Sequence, residues 1–165
     1  MNKMNWNDLI KPYRLGCANE KCGNNPNRSE FDRDYDRIIF STDFRRLNGK
    51  TQVFPFPKTD NIHTRLTHSL ETVSVGRSLG MIVGNKLNND TIHGEEIAAV
   101  LSAACLTHDL GNPPFGHSGE KAIIHFFNSE KGKEIIDVLN EEEKEDFLNF
   151  EGNAMTFHIL THSNP

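Results

Sequence analysis

The run from Glu95 to Pro114 constrains the fold more than any other stretch. Ile97, Val100 with Leu101, Ala104 and His108 recur at spacings of three and four. That spacing predicts one apolar face of a helix from about Glu95 to His108, with His108 pointing inward. Gly111, Pro113 and Pro114 then stop the helix, because proline has no backbone N–H and clashes with the preceding turn.

Similar patterns fill most of the chain. Ser29 offers an N-cap, and Tyr35, Ile38, Ile39, Phe44 and Leu47 share a face, so a helix is expected over Phe31 to Leu47. Asn48-Gly49 ends it. Thr51 to Phe56 reads as a short strand or an extended loop. Thr64 caps a helix expected to reach Leu87, in which His68 shares a face with Thr72, Val75, Leu79 and Ile82. Further helices are expected from His117 to Phe127, over the charged stretch Lys133 to Phe150, and from Glu151 to Leu160. The acidic run Glu141-Glu142-Glu143 reads as a solvated helix face. The class is mainly α. Residues 1–28, rich in Asn, Gly, Lys and Cys, form an irregular arm, and residues 29–165 form the folded part.

A chain of 165 residues is long enough for one domain with a real core. Its net charge of −5 makes it no general attractor of nucleic acid, so a phosphate substrate needs a local basic pocket. Eleven Phe against one Trp and two Tyr do not suggest a base-stacking surface. Cys17 and Cys22 lack a second Cys or His pair at zinc spacing, so with Cys105 they read as reduced thiols. Residues 1–10 lack the apolar core of a signal peptide, and no run approaches the ~18 apolar residues that span a bilayer. The expectation is a cytoplasmic protein with no membrane partner.

The chemistry centres on His108-Asp109. Eight His and ten Asp in this length produce about half such a pair by chance, so the dipeptide alone says little. Its setting says more. Asp109 sits where the helix stops, and the turn at Gly111 allows both side chains to approach one ion. His68, inward on a second helix, completes a nitrogen–oxygen set suited to Mn, Fe, Mg or Zn. Each His taken alone is more readily a hydrogen-bonded core residue than a ligand.

Five ordered motifs surround these residues. They are Asp34-Tyr35-Asp36-Arg37-Ile38-Ile39-Phe40-Ser41 with Phe44-Arg45-Arg46-Leu47; Lys50-Thr51-Gln52-Val53-Phe54-Pro55; Thr64-Arg65-Leu66-Thr67-His68-Ser69-Leu70-Glu71; His108 through Glu120; and Glu151-Gly152-Asn153-Ala154. Together they resemble the dGTPase-type deoxynucleoside triphosphate triphosphohydrolases of the HD superfamily, over roughly residues 28 to 162. The resemblance implies an all-α HD core that hydrolyses a dNTP, dGTP first among them, to deoxynucleoside and intact triphosphate. It implies a homo-oligomer and, by analogy, single-stranded DNA as a regulator.

It also implies a metal held by a His, a His-Asp pair and a later Asp, of which the first three match His68, His108 and Asp109. Mg²⁺ or Mn²⁺ are the expected ions, with Fe, Zn, Co and Ni compatible with the same donors. His117 lies one helical turn from Glu120, so the carboxylate can orient the imidazole. The resemblance makes the two catalytic, with His117 moving a proton at the attacking water or the leaving 5′ oxygen; helix capping is the plainer reading of the pair. Arg65, one turn before His68, suits a phosphate. Gln52 and Val53 resemble positions that meet the deoxyribose, where a Gln amide reads a 3′-hydroxyl. Arg46 either faces the same pocket or caps its helix. Asn153 either contacts substrate or orders its loop. His63, His93, His125, His158 and His162 are assigned no metal role and read as surface or core histidines. Family members are far longer, so the HD core is expected to be incomplete at its C-terminus, as a fragment or truncation, with the later Asp beyond Pro165. The competing functions are another HD nucleotide phosphohydrolase and a non-catalytic nucleotide-binding or regulatory module.

Overall fold

A computed structural model describes residues 5–13, 28–53, 63–87 and 92–162. Cys17 and Cys22 lie outside these residues, as do positions 54–56 of the expected strand or loop. The described residues are mostly helical: α1 (Trp6–Leu9), α2 (Glu30–Phe40), α3 (Thr42–Arg46), α4 (Arg65–Leu87), α5 (Gly94–Thr107), α6 (His117–Phe127), α7 (Glu130–Ile136), α8 (Glu141–Leu148) and α9 (Gly152–Thr161). A single turn of 3₁₀ helix covers Leu47–Gly49. The extended backbone expected from Thr51 amounts, among the described residues, to one antiparallel bridge between Thr51 and Thr64.

Two expected helices are each two. Ser41 divides the first, since its backbone is extended at ψ 151°. Its hydroxyl donates to Ile38 O at 2.7 Å and accepts from Phe44 N at 3.1 Å, closing α2 and opening α3. Asn140 divides the other. Its side chain accepts from Glu143 N at 2.9 Å while Glu143 accepts from Asn140 N at 3.1 Å, a capping box that starts α8. The N-terminal arm is not wholly irregular, because Asn5 caps the short α1.

The chain divides into two compact units, Met1–Arg45 with Thr67–Thr107, and Arg46–Leu66 with His108–Pro165. In the first, α2 packs on α5, and Phe44, Val73, Ile97, Ala98 and Leu106 are buried. Helix α4 meets α5 along small residues. A Cβ at Gly80 would lie 2.6 Å from Ala98 Cα, and one at Gly84 would collide with Gly94. Only glycine lets the two backbones approach so closely. This corrects the expected burial of α4. Beyond Arg65 at its start, its enclosed positions are Ser69, Val73, Gly76, Gly80 and Gly84, while Val75, Leu79 and Ile82 are 61%, 53% and 51% exposed. The face of α5 is corrected in the same way. Ile97, Ala98, Ser102 and Leu106 are buried and Ala104 is exposed. His108 lies past the helix end with a half-buried side chain instead of pointing wholly inward.

In the second unit α6 packs on α7 and α8, with Phe127 4.5 Å from Phe147 between ring centroids. Leu47, Leu110 and Ile136 are buried there.

Candidate active site

The second unit gathers most of the singled-out residues, and Asp109 is at their centre. It lies in the turn that follows α5, where Asn112 N donates to Asp109 O at 3.2 Å. Gly111 N donates to Thr156 Oγ1 at 2.9 Å, which ties this turn to α9. Asp109 is 5% exposed. A carboxylate so enclosed needs compensating charge or hydrogen bonds. Its Oδ1 has both, from Arg65 Nη1 at 2.8 Å and Asn112 Nδ2 at 2.5 Å. Its Oδ2 is buried and accepts no hydrogen bond from the described residues; His108 Nε2 is 3.5 Å away.

Arg65 is placed by backbone on both sides. Its N–H donates to Lys50 O at 2.9 Å, beside the Thr51–Thr64 bridge. The Lys50 ammonium in turn donates to Asn112 O at 2.6 Å. Opposite, the chain turns at Phe115 and Gly116 with φ of 68° and 54°. A Cβ on Gly116 would lie 2.6 Å from Arg65 Nη2, so the guanidinium lies against bare backbone. A positive φ at Phe115 is unusual for a residue with a side chain and marks a constrained loop.

Helix α6 begins directly after that loop. His117 Nδ1 is 2.7 Å from Glu120 Oε2, and Glu120 Oε1 accepts from Gly152 N at 2.9 Å. The imidazole is exposed and the carboxylate is 12% exposed. The hydrogen bond from His117 holds the Glu120 carboxyl below the usual glutamate range; the Gly152 amide and the charges of His117 and Arg65 add to this, against partial burial. An ionised Glu120 accepts the proton of Nδ1, which leaves the exposed Nε2 of a neutral imidazole as a base.

The remaining residues are placed as follows. His68 lies in the first unit, half-buried, one turn along α4 from Arg65. Gln52 N donates to His63 O at 3.0 Å, and its buried Oε1 has no partner among the described residues. Val53 is 70% exposed, and Arg46 is exposed at the end of α3. Asn153 Nδ2 donates to Glu151 Oε1 at 2.8 Å, a local bond at the start of α9. Arg65 is bound to Asp109, a partner that its spacing from His68 did not suggest. Sequence reasoning also passed over Lys50, Asn112 and Gly152 as individual residues. The one available signal was the Asp-x-x-Asn spacing of a turn, which sets Asn112 beside Asp109.

The helical architecture and the His108-Asp109 turn agree with the comparison against protein families, in which the HD domain matches residues 65–162. The chain belongs to the HD-domain family. A Pseudomonas aeruginosa protein named "Deoxyguanosinetriphosphate triphosphohydrolase-like protein" is 49% identical over 164 residues, covering 96% of this chain and 36% of its own length. Proteins of the same name from Synechocystis sp. and Listeria monocytogenes are 46% and 38% identical, again over 96% of this chain and 37% of their own lengths. The chain therefore spans little more than a third of the curated relatives it matches.

HD domains bind divalent metals. The donors here fit one. Within the second unit Asp109 keeps Oδ2 buried and, among the described residues, without a hydrogen-bond partner while Oδ1 is doubly held, and an imidazole such as that of His108 beside a carboxylate is an ordinary donor pair for such ions. Among the described residues no helix is long and apolar enough to cross a membrane.

Proposed function

We propose that this chain carries the metal-binding and proton-transfer part of a dNTP triphosphohydrolase, with dGTP the first substrate to test. The observation that carries the reading is the split environment of Asp109, one oxygen fixed by Arg65 and Asn112 and the other left open beside His108. His68, His108 and Asp109 would hold a divalent ion, Mg²⁺ or Mn²⁺ by expectation. When bound, such an ion supplies Lewis-acid polarisation of the α-phosphate and a more acidic water.

The chain's own residues do the rest. Arg65 fixes Asp109 and adds positive charge where a phosphate would lie. His117, oriented by Glu120, takes a proton from the attacking water as its oxygen bonds to the α-phosphorus. The bond from that phosphorus to the 5′ oxygen breaks, and His117 returns a proton to the leaving oxygen. Water and dNTP thus become deoxynucleoside and triphosphate. Gln52, with its buried amide oxygen, and Val53 and Arg46 would bound the sugar side. A homo-oligomer, a single-stranded DNA regulator and a cytoplasmic setting belong to the same reading through the family resemblance.

The test is to incubate the chain, and a longer relative-length version, with each dNTP and Mg²⁺ or Mn²⁺. Triphosphate is the expected product. Release of only monophosphate or pyrophosphate would assign a different HD phosphohydrolase. Nucleotide binding without turnover by either length would assign a binding module.

A further inference from the structure

One carboxylate of the proposed site, and the side chain that holds another, meet at a residue that has no side chain. Gly152 donates its N–H to Glu120 Oε1 at 2.9 Å. A Cβ at the same residue would lie 3.0 Å from that oxygen and would collide with Asn112 Oδ1. Asn112 uses its other side-chain atom, Nδ2, to hold Asp109 Oδ1 at 2.5 Å. Gly152 is buried at the first position of α9, so its amide is one that the helix itself leaves unbonded.

We propose that Gly152 is a positioning residue which sets the His117–Glu120 pair in register with Asp109, its amide fixing the Glu120 carboxylate and its bare Cα giving Asn112 the space to hold Asp109. The proposal rests on the reading that both carboxylates serve one site. Its chemistry is that of supporting hydrogen bonds. A base oriented by a carboxylate works only if the carboxylate is itself fixed, and a metal-ligating carboxylate is tuned by what bonds its second oxygen. A helix whose end only packs here could offer any small residue. The glycine is required because the amide donor and the space for Asn112 are needed at one backbone position. Gly111, whose Cβ would collide with Gly152 O, makes the close approach of the turn to α9 but touches neither carboxylate.

The charged groups facing Glu120 are His117 on its own helix and Arg65 at the start of α4. The Glu120 carboxyl is held low chiefly by His117 and then by the Gly152 amide, so its titration reports on that amide.

The test uses the ¹³C,¹⁵N-labelled chain without metal or substrate, so absence of hydrolysis would leave its outcome untouched. The Gly152 amide and the Glu120 side-chain carboxyl carbon are followed by NMR from about pH 7 to about pH 3, across the ordinary glutamate range. Both should inflect at one pH, below that range, and Glu120→Gln should abolish the Gly152 inflection. In Gly152→Ala the Glu120 carboxyl should titrate higher and the Asn112 side-chain amide signals should move. A Gly152 amide that does not follow Glu120, or follows it equally in Glu120→Gln, overturns the proposal. So does a folded Gly152→Ala chain with both reporters unchanged. If Gly152→Ala does not fold, the titration of the unsubstituted chain decides.

Discussion

Arg65 Nη1 lies 2.8 Å from Asp109 Oδ1, and both side chains are buried. The pair joins the first residue of α4 to the turn after α5 within one compact unit. A buried pair adds little net stability when formed but is costly to break, because the surviving charge has nothing to compensate it. Arg65→Ala should therefore destabilise the chain by about 3–5 kcal/mol, read from the urea midpoint. Arg65→Lys should recover part of the loss, since it keeps the charge without the planar fork. A loss below about 1 kcal/mol for Arg65→Ala, the range of exposed pairs, would mean that Asp109 is solvated.

Glu120 makes stability depend on pH in one direction. Its carboxyl is held below the ordinary range, first by His117. Its contribution is complete above the unfolded value, about 4.3, and is lost as pH falls through the lower folded value. Glu120→Gln should be less stable than the unsubstituted chain at neutral pH, with the gap closing as pH falls below about 4. Urea midpoints at several pH values measure this. A gap that widens on acidification would reverse the assigned sign.

Asn112 should matter to metal more than to folding. It bonds the oxygen of Asp109 that Arg65 also holds. Losing a hydrogen bond to a metal ligand typically costs 10–100-fold in affinity. Asn112→Ala should weaken Mn²⁺ binding by about that factor, measured by titration followed by electron paramagnetic resonance. An unchanged affinity would remove Asn112 from the site.

The α4–α5 contact separates two kinds of substitution on one helix. Gly80→Ala brings a methyl group to 2.6 Å from Ala98 Cα and should cost about 1–3 kcal/mol, as overpacking does. Leu79→Ala, at a residue 53% exposed, should change stability by about 0.5 kcal/mol or less. Thermal melts of the two variants check the order. A larger loss at Leu79 would restore the face expected from periodicity.

That reversal shows where the sequence was readable. The bounds expected for α6 are those observed, His117 to Phe127, because the Pro113-Pro114 turn fixes its start. Helix α4 was legible from Thr64 to Leu87 as well, but its buried face was not. Apolar periodicity gives no weight to glycine, so the stripe Gly76, Gly80, Gly84 was outweighed by Val75, Leu79 and Ile82. The breaks at Ser41 and Asn140 were missed for a related reason. Each lies within a pattern that continues across it, and only the cap chemistry ends the helix. In the site, the local pair His117–Glu120 follows from helical spacing. The partners of Asp109 and Glu120 do not, since Arg65 and Gly152 come from distant segments and depend on how the unit packs.

The claim that His68, His108 and Asp109 hold a divalent ion is tested most directly by paramagnetic broadening. Substoichiometric Mn²⁺ is added to the ¹⁵N-labelled chain, and the loss of amide signals is mapped by NMR. Signals at and beside residues 68, 108 and 109 should vanish first, and Asp109→Ala should remove this selectivity. Broadening centred on the acidic run Glu141–Glu143, or spread over exposed carboxylates and unchanged in Asp109→Ala, would contradict it.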